Sequence, residues 1–597
     1  MGEGKARLFD RLAPPAYLLV SAIFLYPLST RFWEVLPGPR VDSWQNLWNF
    51  WWVRRAFLTG GGNPFWTGDL FHPVGADLSY HTLSLLNTVW AVPLGGILSP
   101  VALMNLLSFL TYPIGAWGAY LLAREFGAGR GGSFLAGVFY AFFPNHVDHL
   151  YAHLNLTSQH LLPFFLLFTV RLIREPRWRT AAAAGGILAL QTYASWTYAV
   201  HGLMVAFLLF LGGLLFPRIA GPRRAWLPKL AAAVALFFLL IAPILVPPLR
   251  SSANRGEFVY KGIRPDLYIS VETMITPSIF HPVLGEWIRE VRPRHENLPR
   301  GTTAYLGAGA LLFAIAGIRR GKRETTFLAG GAALFLVLAM GPHFQLRLAS
   351  TPGFPLPYRI IEEIPLLRFL RVPNRFLIPY SLLLAPLVAL GFSRHWDRKG
   401  TRPAAVLLAL LLLFEFFPAP LSVATIGRPP FCERIAQRGS SGAVLDIPLL
   451  VGPSACFYMY YQTIHERPIV SGYVSITPPE VSASLERIPI LVWASKTEQP
   501  KRMDRISIDN PVGELNNLGV GDVVLHRDFT GGVKPPSPPG MDWAEGSDAA
   551  RWYRMMANVS TRVSEDRMRF YRKTLEEWLG PPYYEDDRVA LFAVPDK

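Results

Sequence analysis

RLIREPRWRT, residues 171–180, places Arg171, Arg174, Arg177 and Arg179 between two apolar runs. Basic residues beside membrane spans mark the cytoplasmic side. The arrangement recurs at Arg218, Arg223, Arg224 and Lys229, at Arg319, Arg320, Lys322 and Arg323, and at Arg394, Arg398, Lys399 and Arg402. These clusters fix the topology expected of a polytopic membrane protein. Apolar segments centre near residues 14–30, 82–98, 101–122, 131–145, 156–172, 181–197, 199–216, 229–248, 302–318, 325–341, 373–392 and 403–420. If all of them crossed from an inside amino-terminus, every one of the four clusters would fall outside. The run 82–98, TLSLLNTVWAVPLGGIL, holds Pro93, Gly95 and Gly96 and is barely long enough to span. If it stays on the outer face, the four clusters become cytoplasmic together with the amino-terminus and Arg124 and Arg130. The expectation is therefore eleven spans, with the amino-terminus cytoplasmic and the carboxy-terminus extracytoplasmic.

Composition agrees with a membrane location. The 597 residues are 51% hydrophobic and 17% charged, against roughly 25% charged in an average soluble domain. Seventeen tryptophans suit a protein with many membrane–water interfaces. The net charge of +16 would suggest nucleic acid in a soluble protein. From residue 425 onward, however, 20 Lys and Arg face 22 Asp and Glu, so the excess lies entirely in the membrane part. It reports topology and no nucleic-acid partner. The polar, basic residues 1–12 lead into an apolar run with no small-residue cleavage site, which reads as a retained first span. Cys432 and Cys456 both follow the last span, without a CxxC pattern. A disulfide in an oxidising compartment and two unpaired thiols are both compatible with that spacing.

Three long segments then share the outer face: residues 31–100, 249–301 and 342–372. The short connection 144–155 and the tail from about residue 425 lie on the same side. In the tail, GAVLDIPLL and VGDVVLHRDF are short apolar runs bounded by Gly and Asp, as buried strands are, and RVALFAVPD reads as a last strand. GGVKPPSPPG (531–540) reads as a loop. The expected architecture is a polytopic α-helical membrane domain over residues 1–424, with a large first outer loop at 31–100, followed by an extracytoplasmic α/β domain over 425–597.

Candidate chemistry sits on the outer side. VDSWQNLWNFWWVRRAF (41–57) puts Asp42 just beyond the first span, with Trp44, Leu47, Trp48, Trp51 and Trp52 following at helical spacing. This predicts an amphipathic helix lying in the interface. Asp42 either caps that helix or points into a cavity at the outer ends of the spans. PNHVDHLYAHLN (144–155) gathers His146, Asp148, His149 and His153, and His149 and His153 share a helical face. The group reads either as polar interface residues or as a site. His146, Asp148 and His149 have the side chains and the spacing to hold a divalent metal ion. Arg368, Arg371 and Arg375 in LRFLRVPNRFLIPY (367–380) break the positive-inside trend. Their planar forks suit phosphate, or they pair with Glu362 or Glu363. The 249–301 loop carries Tyr260, Lys261, Arg264, Asp266, Glu272 and His281, none of which stands out.

A retained first span, a large outer loop with an early Asp, several Arg-punctuated spans and an extracytoplasmic α/β tail together resemble the GT-C superfamily of membrane glycosyltransferases. VDSWQNLWNFWWVRRAF, NPFWTGDLFHPVGADLSYHT and the tail segments VLDIPL and MYYQTIHERPIVSGY are similar to a broad group of bacterial GT-C-like proteins. The resemblance implies a plasma-membrane enzyme that takes a sugar from a polyprenyl-phosphate donor and passes it to a glycan, lipid or protein acceptor. It implies that Asp42 is the general base on the acceptor, with Ser43 standing where many members carry a second acidic residue. It further implies that Asp148, His149 and His153 face that acid; the position of Arg371 and Arg375 on the outer side adds the expectation that they hold the lipid phosphate of such a donor. A non-catalytic scaffold in envelope assembly is the second reading. A transporter is the third, disfavoured because charge gathers at the membrane faces rather than within broken helices.

Overall fold

The computed structural model describes residues 3–38, 41–59, 61–151, 153–215, 223–251, 268–278, 281–291, 304–318, 323–347, 353–495, 508–527 and 564–595. The expected GGVKPPSPPG loop, Arg218, Arg319, Arg320 and Lys322, and Tyr260, Lys261, Arg264 and Asp266 of the 249–301 segment lie outside these residues. In chain order the elements used below are α1 (Glu3–Phe24), β1 (Val35–Pro37), α2 (Val41–Leu58), α3 (Pro100–Glu125), α4 (Arg130–Ala141), α5 (Pro144–Leu150), α6 (Leu162–Arg174), α7 (Trp178–Ala194), α8 (Trp196–Leu215), α9 (Arg223–Arg250), α10 (Ala308–Gly317), α11 (Arg323–Ala339), α12 (Leu377–Asp397), α13 (Arg402–Glu415), β2 (Val423–Thr425), β3 (Ala443–Ile447), α14 (Cys456–His465), β4 (Val520–His526), α15 (Glu565–Leu579), β5 (Tyr584–Glu585) and β6 (Val589–Ala593).

Among the described residues, five helices are long and apolar enough to cross a membrane: Pro100–Glu125, Leu154–Arg174, Trp196–Leu214, Ala225–Arg250 and Pro373–Asp397. Several other expected spans fold as shorter helices, such as α4, α10 and α13. A short helix is tolerated at membrane depth where neighbouring helices bury it, and nine residues of the 12-residue α4 are buried. The run 82–98 forms only two four-residue helices, Leu85–Thr88 and Ala91–Leu94, as its Pro and Gly content predicts.

The chain forms two compact units, each drawn from separated segments. The first comprises residues 1–31, 105–245 and 257–421. Its centre is α12, where 94% of the apolar window is buried. Small residues let neighbours approach: a Cβ on Gly391 would run into the Phe313 carbonyl of α10, and one on Gly132 of α4 would meet the Ala389 carbonyl. In hydrocarbon, where no hydrophobic force draws helices together, such close backbone packing supplies the association.

The second unit comprises residues 32–104, 246–256 and 422–597. The first outer loop and the tail therefore fold as one body. β1 pairs antiparallel with β2, Val35 opposite Thr425 and Pro37 opposite Val423. The three expected tail strands are β3, β4 and β6, in a sheet of order β3-β4-β6-β5. β3 and β4 run parallel, and the remaining pairs are antiparallel. Leu445, Ile447, Val523, Leu525, Ala590 and Phe592 build its core with Tyr571 and Leu575 of α15. On β4, inside the sheet, Asp522 is fully buried and bonded to Arg438, Arg467 and the Tyr583 hydroxyl.

Candidate active site

In the first unit the chain leaves α4 through Phe143 and turns into α5, with Pro144 at its first position. Proline fits there because its fixed φ suits a helix start and its missing N–H would find no intrahelical partner. All seven residues of α5 are buried. His146 stacks on Tyr112 at 4.3 Å. Its Nδ1 lies 2.7 Å from the Ala141 carbonyl and its Nε2 lies 2.8 Å from the Thr157 carbonyl. Both nitrogens face backbone carbonyls, and the neutral ring donates to one of them, which makes His146 a brace between α4 and the turn at 157.

Among the described residues, no group of three or more His, Cys, Asp or Glu is gathered so as to hold a metal ion. The expected set of His146, Asp148 and His149 is therefore not assembled: His146 faces carbonyls, and consecutive helical positions fan the other side chains apart. The residues do not fit a divalent ion, and the chemistry below is derived without one.

Asp148 and His149 are 4% and 6% exposed. The rings of His149 and His153 meet edge-on at 5.7 Å, as their spacing predicts. Arg375 lies in the 3-10 turn Pro373–Phe376 that leads into α12. The charges of Asp148 and Arg375 both act on the buried hydroxyl of Tyr198, at the start of α8. Arg375 also acts on the ring of His201, which packs on Phe376 at 4.7 Å. The structure thus brings Asp148 and Arg375 to one place. Arg371 and Arg368 have exposed side chains, and Arg368 donates from Nε to the Glu362 carbonyl at 3.1 Å.

Beside this group opens a small cleft lined by Asp148, Tyr151, Ser278, His281, Glu415 and Phe417 among others. Its apolar walls with a few polar groups have the character of small-molecule sites. Glu415, at the end of α13, accepts from the Tyr305 hydroxyl (2.6 Å) and from the backbone N–H of Ala308 and Gly309 (both 3.1 Å). It caps α10, where a carboxylate complements the helix's positive end. His281 is held by its Nε2 on the Phe414 carbonyl and by the N–H of Val283 and Leu284 on Nδ1. Burial lowers its pKa, so it is neutral at pH 7. The sequence reading passed over Tyr198, His201 and Glu415. A signal existed for the last two: each is a solitary ionisable group in an otherwise apolar run.

Asp42 belongs to the second unit. α2 begins at Val41, so Asp42 stands in its first turn rather than at its N-cap. The helix is also no interfacial amphipath. Trp44, Leu47, Trp48, Phe50 and Trp52 are all buried. Trp44 packs on Phe457 and Tyr460 of α14, and Trp48 donates from Nε1 to Gln462 Oε1 at 2.7 Å. The face expected to meet lipid is covered by the tail.

Asp42, Gln45, Asn46 and Asn49 make a polar stripe along α2 that the tryptophans obscured in the sequence. It meets His81, also unforeseen, whose Nε2 lies 3.1 Å from Asn49 Oδ1 and 3.0 Å from Gln45 Nε2. The Ser475 N–H approaches Nδ1 at 3.4 Å. Burial pushes the His81 pKa down to about 4, while the charge of Asp42 pulls it up. The ring is therefore neutral at pH 7. With the proton on Nε2 it donates to Asn49 and leaves Nδ1 to accept from the Ser475 N–H and from Gln45 Nε2, 3.4 Å away. Cys456 and Cys432 are free and buried, which decides between the two expectations for these thiols. Burial pushes both thiols up, and the charge of Asp42 adds to the effect at Cys456.

Residues 67–417 match the model of a family described as Domain of unknown function (DUF6311). No curated protein matches the sequence. Among solved structures, the arabinofuranosyltransferase AftD from Mycobacteria aligns over 99% of this chain and 40% of its own, with a TM-score of 0.57 and 16% identity. A mutant form of the same enzyme aligns over 89% of this chain and 37% of its own, with a TM-score of 0.52 and 17% identity. ArnT from Cupriavidus metallidurans aligns over 99% and 98%, with a TM-score of 0.48 and 12% identity. The chain thus spans about 40% of the length of the mycobacterial enzyme. At these identities the likeness concerns fold alone: the molecule shares the architecture of the mycobacterial arabinofuranosyltransferase, with five described helices long and apolar enough to cross a membrane.

Proposed function

Since the chain belongs to the family described as Domain of unknown function (DUF6311) and folds as GT-C proteins do, we propose that it is a glycosyltransferase acting on the outer face of the bacterial plasma membrane. The donor is a polyprenyl-phosphate sugar, and the acceptor is a cell-envelope glycan, lipid or protein. An acceptor hydroxyl attacks the anomeric carbon, the bond from that carbon to the phosphate oxygen breaks, and polyprenyl phosphate leaves. In this reading Asp42 takes the hydroxyl proton. Arg375, with Arg371, neutralises the departing phosphate, while Asp148, His149 and His153 hold sugar hydroxyls.

One observation carries the proposal: a buried acid, Asp148, lines an open-mouthed cleft and lies, like a basic group, Arg375, within electrostatic range of the Tyr198 hydroxyl. Within a glycosyltransferase-like fold, this pairing suits a substrate with sugar hydroxyls next to a phosphate. The topology that goes with it is eleven spans, a cytoplasmic amino-terminus and an extracytoplasmic domain over 425–597.

The test is transfer in proteoliposomes from radiolabelled polyprenyl-phosphate sugars to membrane extract. Wild type is expected to transfer label, Asp42→Asn to lose nearly all of it, and Arg375→Gln to lose at least tenfold. Undiminished transfer by Asp42→Asn removes that residue as base. Absence of transfer with every donor favours the scaffold reading. Reporter fusions after Arg179 and Gly427 should report cytoplasmic and extracytoplasmic positions respectively.

A further inference from the structure

A second, shallow groove, open along one side, lies among α6, α8 and α11. Its walls are apolar: Val170 and Ile173 of α6, Leu209 of α8, and Phe327 and Leu328 of α11. Gly212 and Gly213 of α8 also line it, and the lack of a Cβ on Gly212 lets the Phe327 ring pack directly on α8. Two of the three helices belong to segments long and apolar enough to span a membrane, so the groove lies within reach of lipid chains.

One end of the groove is different. Arg174 is the last residue of α6, and Glu324 lies in the first turn of α11. Both therefore stand where helices leave the hydrocarbon. They line the mouth with one charge of each sign, joined at 3.2 Å between an Arg174 terminal nitrogen and Glu324 Oε2. Arg174 also donates to the Glu125 carbonyl at 2.9 Å, and its guanidinium lies 5.0 Å from the centre of the Phe126 ring. Glu125 is in turn bonded to Arg171 at 2.7 Å. The mouth is thus partly exposed and charge-balanced rather than basic.

From this arrangement we propose that the groove is a binding site for one zwitterionic glycerophospholipid with a primary-amine headgroup. An acyl chain lies along Leu209 and Phe327, the phosphate pairs with Arg174, and the ammonium pairs with Glu324. Guanidinium binds phosphate oxygens two at a time, and Glu324, the ion-pair partner of Arg174 here, takes the ammonium as the phosphate takes the guanidinium; toward a headgroup with no ammonium it contributes only repulsion. Charge complementarity therefore selects phosphatidylethanolamine over phosphatidylglycerol. Packing and headgroup pairing supply the specificity, since lipid tails gain little by moving from one apolar surface to another.

Native mass spectrometry of the full-length protein, delipidated and titrated with each lipid, tests this. Wild type should retain one phosphatidylethanolamine with several-fold preference over phosphatidylglycerol. Leu209→Trp, which fills the groove, should abolish the retained lipid. Glu324→Gln, at an exposed helix start where folding is little affected, should erase the headgroup preference while leaving a bound phospholipid. Arg174→Gln should lower phospholipid occupancy several-fold and leave diacylglycerol occupancy unchanged. Equal occupancy in wild type and Leu209→Trp overturns the site. Equal retention of the two headgroups by wild type overturns its zwitterionic assignment.

Discussion

His81 is a histidine that the fold keeps uncharged. Its pKa in the folded protein, about 4, lies below the ordinary 6.5, so the unfolded chain binds a proton more readily than the folded one between those values. Stability supplied by the neutral ring is full above pH 6.5 and is lost as pH falls toward 4. At the acid limit the loss is on the order of 3 kcal/mol. Melting curves at pH 7 and pH 5 should show a fall in Tm on acidification that is smaller in His81→Gln. Asp522 works in the opposite sense, as a charge kept buried by its partners. Replacing it with Ala leaves Arg467 deprived of its carboxylate, and this should cost about 3–5 kcal/mol, read as a lower Tm. Single residues were unevenly legible in the sequence. Asp148, His149 and Arg375 announced themselves by clustering or by breaking a charge rule. Tyr198 did not, because a hydroxyl at the start of a span reads the same whether it faces a cavity or a helix.

α2 shows why an element can be foreseen and yet misplaced. Tryptophans at helical spacing establish a helix with an aromatic face, but lipid and protein are equally apolar partners for it. What covers Trp44 and Trp48 is α14, some 400 positions further along the chain. No local pattern carries that information. Trp48→Ala should therefore cost about 3–5 kcal/mol, from the cavity and from the Gln462 carbonyl left without its donor. Loss of secondary structure on heating is the measurement, and a change under 1 kcal/mol would return α2 to the interface. The strands of the tail were easier to read. Short apolar runs bounded by Gly and Asp have few alternatives, and β3, β4 and β6 form within the runs so marked.

For the whole molecule, the basic clusters and the early Asp pointed to GT-C architecture, and the fold agrees. The number of spans was harder to read, because burial lets helices such as α10 be short and still sit among longer ones. The division into compact units was hidden for another reason: it does not follow chain order. Residues 32–104 and 422–597 share one unit through the β1–β2 pair and the α2–α14 packing. A chain ended after residue 424 should leave α2 open to proteases that spare it in the full-length protein, as limited digestion in membranes would show.

The β1–β2 pair also sets a timetable. A ribosome adding about 5–20 residues per second needs roughly 20–80 seconds to pass from α2 to α14. For that interval the nascent chain carries an aromatic helix with no partner, waiting on a segment not yet made. The cell must shelter those tryptophans, in the bilayer surface or on a chaperone, until the tail arrives to release them.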